Sequence, residues 1–317
     1  MRPGSQRSRR YLWRNISMRF GWLWFCPLAI AGACLAQTDS RILREGKYWV
    51  ETSSGKATAA DIKQLRVSAR GALTVQGENR RDIGYVLKKR AKAANEAAAR
   101  LLLDRISVKT SFTGGVAVME VAPASGWEPS ADVQLSVPEY LREVALESLG
   151  ESIEAYDLDG ALRAGSRGGR LQGGRIRVEE ADRGITVTAN AGLIEVLKAN
   201  GPVIAQTGAG AIDIRSAGNV QCQAGAGAIQ LRSVCGGLRA LTGSGDITVF
   251  IPSNLAVTVQ ASSAYPGNHR IVSGFSEIQP RLSHDDRQPE AQGAINGGGP
   301  LLRLTASGGT ICLRRQK

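Results

Sequence analysis

The chain has 317 residues, 43% of them hydrophobic and 21% charged, and a formal net charge of +12. These values exclude wholesale disorder and allow one large domain or two ordinary ones with a sizeable core. Glycine is the outlier at 38 residues, about 12% against a usual ~7%, while aromatics reach only 5% and the two histidines, His269 and His284, leave little room for histidine-based metal or triad chemistry.

Residues 1–19 carry six arginines and no acid, and Gly21 to Ala36 then run GWLWFCPLAIAGACLA. A charged lead, an apolar run and a small-residue exit predict a secretory signal peptide over residues 1–36. Met18-Arg19-Phe20 followed by the apolar run already makes an ordinary signal, and Ser8-Arg9-Arg10-Tyr11-Leu12 resembles a twin-arginine export motif. Either start predicts export to the periplasm, cell surface or medium. Removing these residues takes the net charge from +12 to +6. That balance suits anionic partners such as lipid headgroups, lipopolysaccharide or teichoic acids, and export argues against nucleic acid. Cys222, Cys235 and Cys312 remain, an odd number for a disulfide-permissive compartment.

Beyond the signal, residues 37–130 read as an entry region and residues 131–317 as a repeat region, both parts of one structure. In the entry region, Leu65-x-Val67 and Gly71-x-Leu73-x-Val75 alternate with period two, as short strands do. Residues 93–105 (AANEAAARLLLDR) predict a helix that seats on the body through Leu101, Leu102 and Leu103. The repeat region then recurs every nine residues, twice shortened to eight. Ile176, Ile185, Ile194, Val203, Ile212, Val220, Ile229, Leu238, Ile247 and Leu255 each have an apolar residue two positions later, and eight of the ten have a glycine two positions earlier. Ile153, Leu162 and Leu171 continue the step upstream, and Gly309-x-Ile311-x-Leu313 restores it at the end.

Such a strand cannot bury its face alone, so copies must stack. The second apolar residue alternates between large (Val178, Val196, Ile214, Leu231, Val249) and mostly smaller (Val187, Ala205, Cys222, Ala240, Val257), so the true period is about 18, two strands per turn. The prediction is an all-β, right-handed β-solenoid with one inserted or capping helix. Its structural positions are Ile194, Ile212, Ile229 and Ile247 inside, and Gly192, Gly210, Gly227 and Gly245 at corners. Residues 262–300 break the period and predict a long loop flanking one strand near Ile271–Phe275.

The Gly-x-Gly-x-Ile units at Gly208–Ile212, Gly225–Ile229 and Gly243–Ile247 resemble those of the bacterial putative-adhesin family, as do Val133-x-Leu135-x-Val137-Pro138 and the closing Gly308-Gly309-Thr310-Ile311. The resemblance covers about residues 60–317. It implies an exported or envelope-facing right-handed solenoid and brings no catalytic residues with it. Gly309 departs from the pattern where the family often has an acid, as at Asp246.

Catalytic, cofactor and metal sites are not expected. The glycine pairs recur between strands, so they are corners and not phosphate loops. Asp157-Leu158-Asp159-Gly160 lacks the glutamate of a calcium loop, and His284-Asp285-Asp286 reads as solvated. Arg177, Glu195, Asp213, Gln230 and Thr248 fall between inward positions and form one outward ladder. Glu195 and Asp213 stand one turn apart in it, a spacing that would suit a polysaccharide-cleaving carboxylate pair. Arg163, Arg167, Arg170, Arg175 and Arg177 are the candidate ligand-binding residues, with an acidic envelope glycan as the expected partner. The sequence therefore predicts a non-catalytic adhesin-like binding or scaffolding protein. The alternatives are an enzyme using Glu195 and Asp213, or an accessory of an envelope signalling system with a membrane-associated partner. Open strand edges at the ends would favour homo-oligomers.

Overall fold

The computed structural model describes residues 41–58, 61–123, 129–149, 151–167, 174–264, 270–282 and 288–316. The signal peptide expected over residues 1–36, Arg170, Leu171 and both histidines lie outside the described residues. The described residues fall in one compact unit, and the strand Ser130–Pro138 pairs with both Leu73–Glu78 and Asp82–Ala91.

The fold is all-β with a single described helix, and its strands form two sheets of thirteen strands each. Through the middle, successive strands alternate between the sheets, and each pairs in parallel with the strand two positions along the chain. On the first wall Ile176, Ile194, Ile212, Ile229, Ile247 and Ile311 stand in register. On the second wall Leu162, Ile185, Val203, Val220, Leu238 and Leu302 do the same. These side chains are all within 4% of complete burial and make one core between the walls. The smaller second residues Ala205, Cys222 and Ala240 all belong to the second wall.

The glycines explain themselves by stacking. A Cβ on Gly210 would strike the carbonyl oxygen of Gly192 one turn away, and one on Gly245 would strike that of Gly227. Gly245 also has φ +143°, a backbone that L side chains rarely adopt. Close approach of successive corners, more than the turn itself, demands glycine here.

Both ends depart from simple alternation between the sheets. The strands Leu301–Gly308 and Ile311–Gln316, last in the chain, are not last in space. Leu301–Gly308 lies between Leu238–Ser244 and Val257–Ser263, and Ile311–Gln316 lies between Ile247–Pro252 and Ile271–Ser273. At the other end Gln64–Ala69 lies between Glu143–Ser148 and Val116–Pro123. Antiparallel pairs close both ends of the second wall, Ile106–Thr113 with Val116–Pro123 at one end and Arg281–Leu282 with Pro289–Ile295 at the other. Asn95 caps the helix Glu96–Leu103 by accepting from the Ala98 amide at 2.9 Å. Leu103 is buried and Leu102 half-buried, but Leu101 faces solvent, so the helix seats through one edge of its leucine run.

Two expectations need correction. Leu255 is not an inward strand residue: Pro252 ends the preceding strand, a turn follows at Ser253-Asn254, and the pairing moves on by four, placing Val259 opposite Leu302, which in turn faces Leu238. Residues 262–300 are not one loop. Besides Ile271–Ser273 they contain Arg281–Leu282 and Pro289–Ile295, the latter antiparallel to Val257–Ser263. The covering strand Pro289–Ile295 buries only Ala291 and Ile295, too little to leave a periodic signal.

Cys222 is buried among the small inward residues, which pushes its thiol up to about 12. Cys235 is exposed, and the three described cysteines are free. At mildly alkaline pH a thiol-disulfide reagent should modify Cys235 in the native protein and reach Cys222 only on unfolding. Mass mapping after brief labelling checks this; rapid native labelling of Cys222 would contradict the packing.

Candidate binding faces

The outward residues of the first wall stack as the ladder Arg177, Glu195, Asp213, Gln230 and Thr248. Its centre is a closed ion-pair node. The Glu195 side chain is only 6% exposed because Arg175, Arg177 and Arg215 converge on it: Arg215 donates to Oε1 at 2.8 Å, Arg175 donates to Oε2, and Arg177 stands at 3.7 Å. Arg177 also pairs with Glu179, and Arg215 and Arg232 lie within 3.7 Å of Asp213. The hydrogen bond from Arg175, with the charges of Arg175, Arg177 and Arg215, holds the Glu195 carboxyl below its ordinary value against the opposing effect of burial.

This geometry is unsuited to acid catalysis. A glycosidase acid must stay protonated, which requires a raised carboxyl pKa. Glu195 is driven the other way. Because its folded-state pKa is depressed, its pairing stabilises the fold above the ordinary carboxylate value of 4.5 and that stabilisation is lost as pH falls through the lower folded value. Glu195→Gln should therefore destabilise the protein by roughly 1–3 kcal/mol at neutral pH and flatten the acid limb of its stability profile. Parallel acid limbs for the variant and the parent, measured by denaturant titration across pH, would contradict the node.

The five candidate arginines do not form one site. Arg175 and Arg177 belong to the first wall and are occupied by glutamates. Arg163 and Arg167 project from the second wall, exposed, with Glu143 and Glu147 at 2.7 Å. Arg170 lies outside the described residues.

The second wall has a different outer surface. Three recesses open along it, of about 590, 470 and 240 Å³. The first is lined by Arg66, Arg163, Arg167 and Thr188, the second by Ile204, Gln221 and Arg239, and the third by Gln260, Arg281 and Arg303. Register joins them into one column: Arg66 faces Ala145, which faces Arg163, and then Thr186, Ile204, Gln221, Arg239, Arg303 and Gln260 follow strand by strand. Sequence reasoning missed Arg66, Arg239 and Arg303, although the signal was present. Each sits between two inward residues, as in Leu65-Arg66-Val67, Leu238-Arg239-Ala240 and Leu302-Arg303-Leu304. The rule that revealed the first-wall ladder finds this one too, once the neighbouring strands are known.

No family model matches the chain, and no curated protein matches it. Solved structures similar to it include a putative cell adhesion protein from Clostridium sporogenes, at 10% identity, covering 84% of this chain and 100% of that one with a TM-score of 0.26. A putative adhesin from Bacteroides fragilis is similar at 8% identity, 83% and 96% coverage and a TM-score of 0.44. A putative lipid binding protein from Parabacteroides distasonis is similar at 10% identity, 82% and 96% coverage and a TM-score of 0.33.

Proposed function

We propose that the chain is an exported, non-catalytic binding or scaffolding protein of the bacterial envelope, a right-handed β-solenoid that engages its partner through the outer face of the second wall. The observation that carries this reading is the placement of three recesses, lined by described residues, on that one face and in line across the strands. The first wall supports it by contrast, since its charges there are consumed in pairs around Glu195 and Asp213. Export rests on the arginine-rich lead and apolar run of residues 1–36.

Filling the face tests the reading. Gly165 and Thr188 line the first recess, and a Cβ on Gly165 meets nothing closer than 4.0 Å, so Gly165→Trp and Thr188→Trp should be accommodated by the fold. The double variant should lose most binding to isolated bacterial envelopes, while Thr248→Trp on the first wall should bind as the parent does. Undiminished binding by the second-wall variant would overturn the reading.

A further inference from the structure

Resting on that reading, we propose that the ligand of the second wall is a linear acidic polysaccharide, laid across the strands along the column that holds Arg66, Arg163, Arg239 and Arg303. Three observations point to a polymer of repeated negative charge.

The first is the charge of the face. The three recess linings contain six arginines and two glutamates. Arg66 and Arg239 form no ion pair with a described carboxylate, Arg281 stands opposite Glu290 in register, and Arg303 donates only to the Gln260 side chain at 3.4 Å. Arg239 and Arg303 are direct register partners on adjacent strands, about 4.8 Å apart along the sheet. Like charges directly opposite one another destabilise a sheet, and nothing in the described structure offsets this pair. An anion bridging the two guanidinium groups would do so.

The second is what lies between the arginines. The strands Ile185–Ala191, Val203–Ala209, Val220–Ala226 and Leu238–Ser244 contain no acid, and they present Thr186, Thr188, Gln206, Gln221 and Gln223 outward and exposed. Hydroxyls and amides both donate and accept, which suits the hydroxyl groups of a sugar chain. Those four strands carry no aromatic residue, and Ile204 is their only exposed large hydrophobic side chain. A membrane surface would call for aromatic or apolar anchors standing out from the face. Here the cations line recesses instead.

The third is length. From Arg66 to Arg303 the register counts seven strand steps, about 34 Å at ~4.8 Å per step. A single small anion would use one recess, whereas a chain can use all three, and each further contact adds to its affinity.

Binding of length-fractionated oligogalacturonates to the purified chain tests the proposal, with neutral dextran and phosphatidylglycerol vesicles as the other arms. Affinity should rise with oligomer length, level off once the chain spans the column, and weaken as salt is added. The triple variant Arg66→Gln, Arg239→Gln, Arg303→Gln should lose about tenfold or more in affinity. Arg314→Gln, at an arginine that is also exposed but on the first wall, should stay within about twofold. Equal losses in both variants, equal affinity for dextran, no affinity for any oligomer, or a preference for vesicles lost in the same triple variant would each overturn the proposal. Loss of envelope binding on filling the recess would still uphold the binding face in those cases, so the two failures are distinguishable.

Discussion

Gly245→Ala is expected to lower the stability of the fold by roughly 2–4 kcal/mol, whereas Gly218→Ala should leave it within about 0.5 kcal/mol. In sequence the two positions are equivalent, each a glycine two residues before an inward apolar side chain, Ile247 or Val220. Their surroundings differ. At Gly245 a new Cβ would strike the carbonyl oxygen of Gly227, and the φ of +143° already opposes a side chain. At Gly218 nothing lies within 4 Å and the backbone is ordinary. The strain at Gly245 cannot relax locally, because Gly227 and Gly309 are packed against it from either side. Chemical denaturation of the two variants decides the matter, and equal destabilisation would show that the glycines serve the turn and not the stacking.

A second large effect is expected from truncation after Pro300. The two strands removed would leave gaps inside both sheets, because Leu301–Gly308 and Ile311–Gln316 are interior strands. Leu302, Leu304, Ile311 and Leu313 are each within 1% of complete burial. At about 1.5–3 kcal/mol for each buried side chain, their loss costs on the order of 6–12 kcal/mol, comparable with the whole stability of an ordinary domain. The strands Val257–Ser263 and Ile271–Ser273 would also lose their parallel partners. The truncated chain should lack a cooperative thermal transition over its C-terminal half. A shortened chain that melts sharply near the parent temperature would mean that Val257–Ser263 can pair directly with Leu238–Ser244.

The middle of the fold was legible because its physics is repetitive. Alternation at i and i+2 marked the inward residues, and the nine-residue step placed Ile194 beside Ile212 and Val203 beside Val220, as their registers show. The alternation of large and small second residues separated the walls. The ends were not legible, because there the partners come from distant parts of the chain. Nothing local in Leu301–Gly308 announces that it fits between two strands that precede it, and the covering strand Pro289–Ile295 buries too few side chains to show a period.

The same distinction governs the candidate binding residues. Arg163, Arg167, Arg175 and Arg177 cluster in sequence, yet consecutive strands belong to opposite walls, so their nearness along the chain separates them in space. Arg66 and Arg303 are 237 positions apart in numbering but share one column. A chain whose successive strands alternate between two sheets turns sequence neighbours into residues of different sheets, and distant residues into neighbours.

The most direct test of the account is an arginine footprint. The purified chain, free and bound to bacterial envelopes, is treated briefly with a guanidinium-selective dicarbonyl reagent and the modified positions are read by mass spectrometry. Arg66, Arg239 and Arg303 should become shielded on binding while Arg314 on the first wall reacts as before. Shielding of Arg314 with the second-wall arginines still reactive would contradict it.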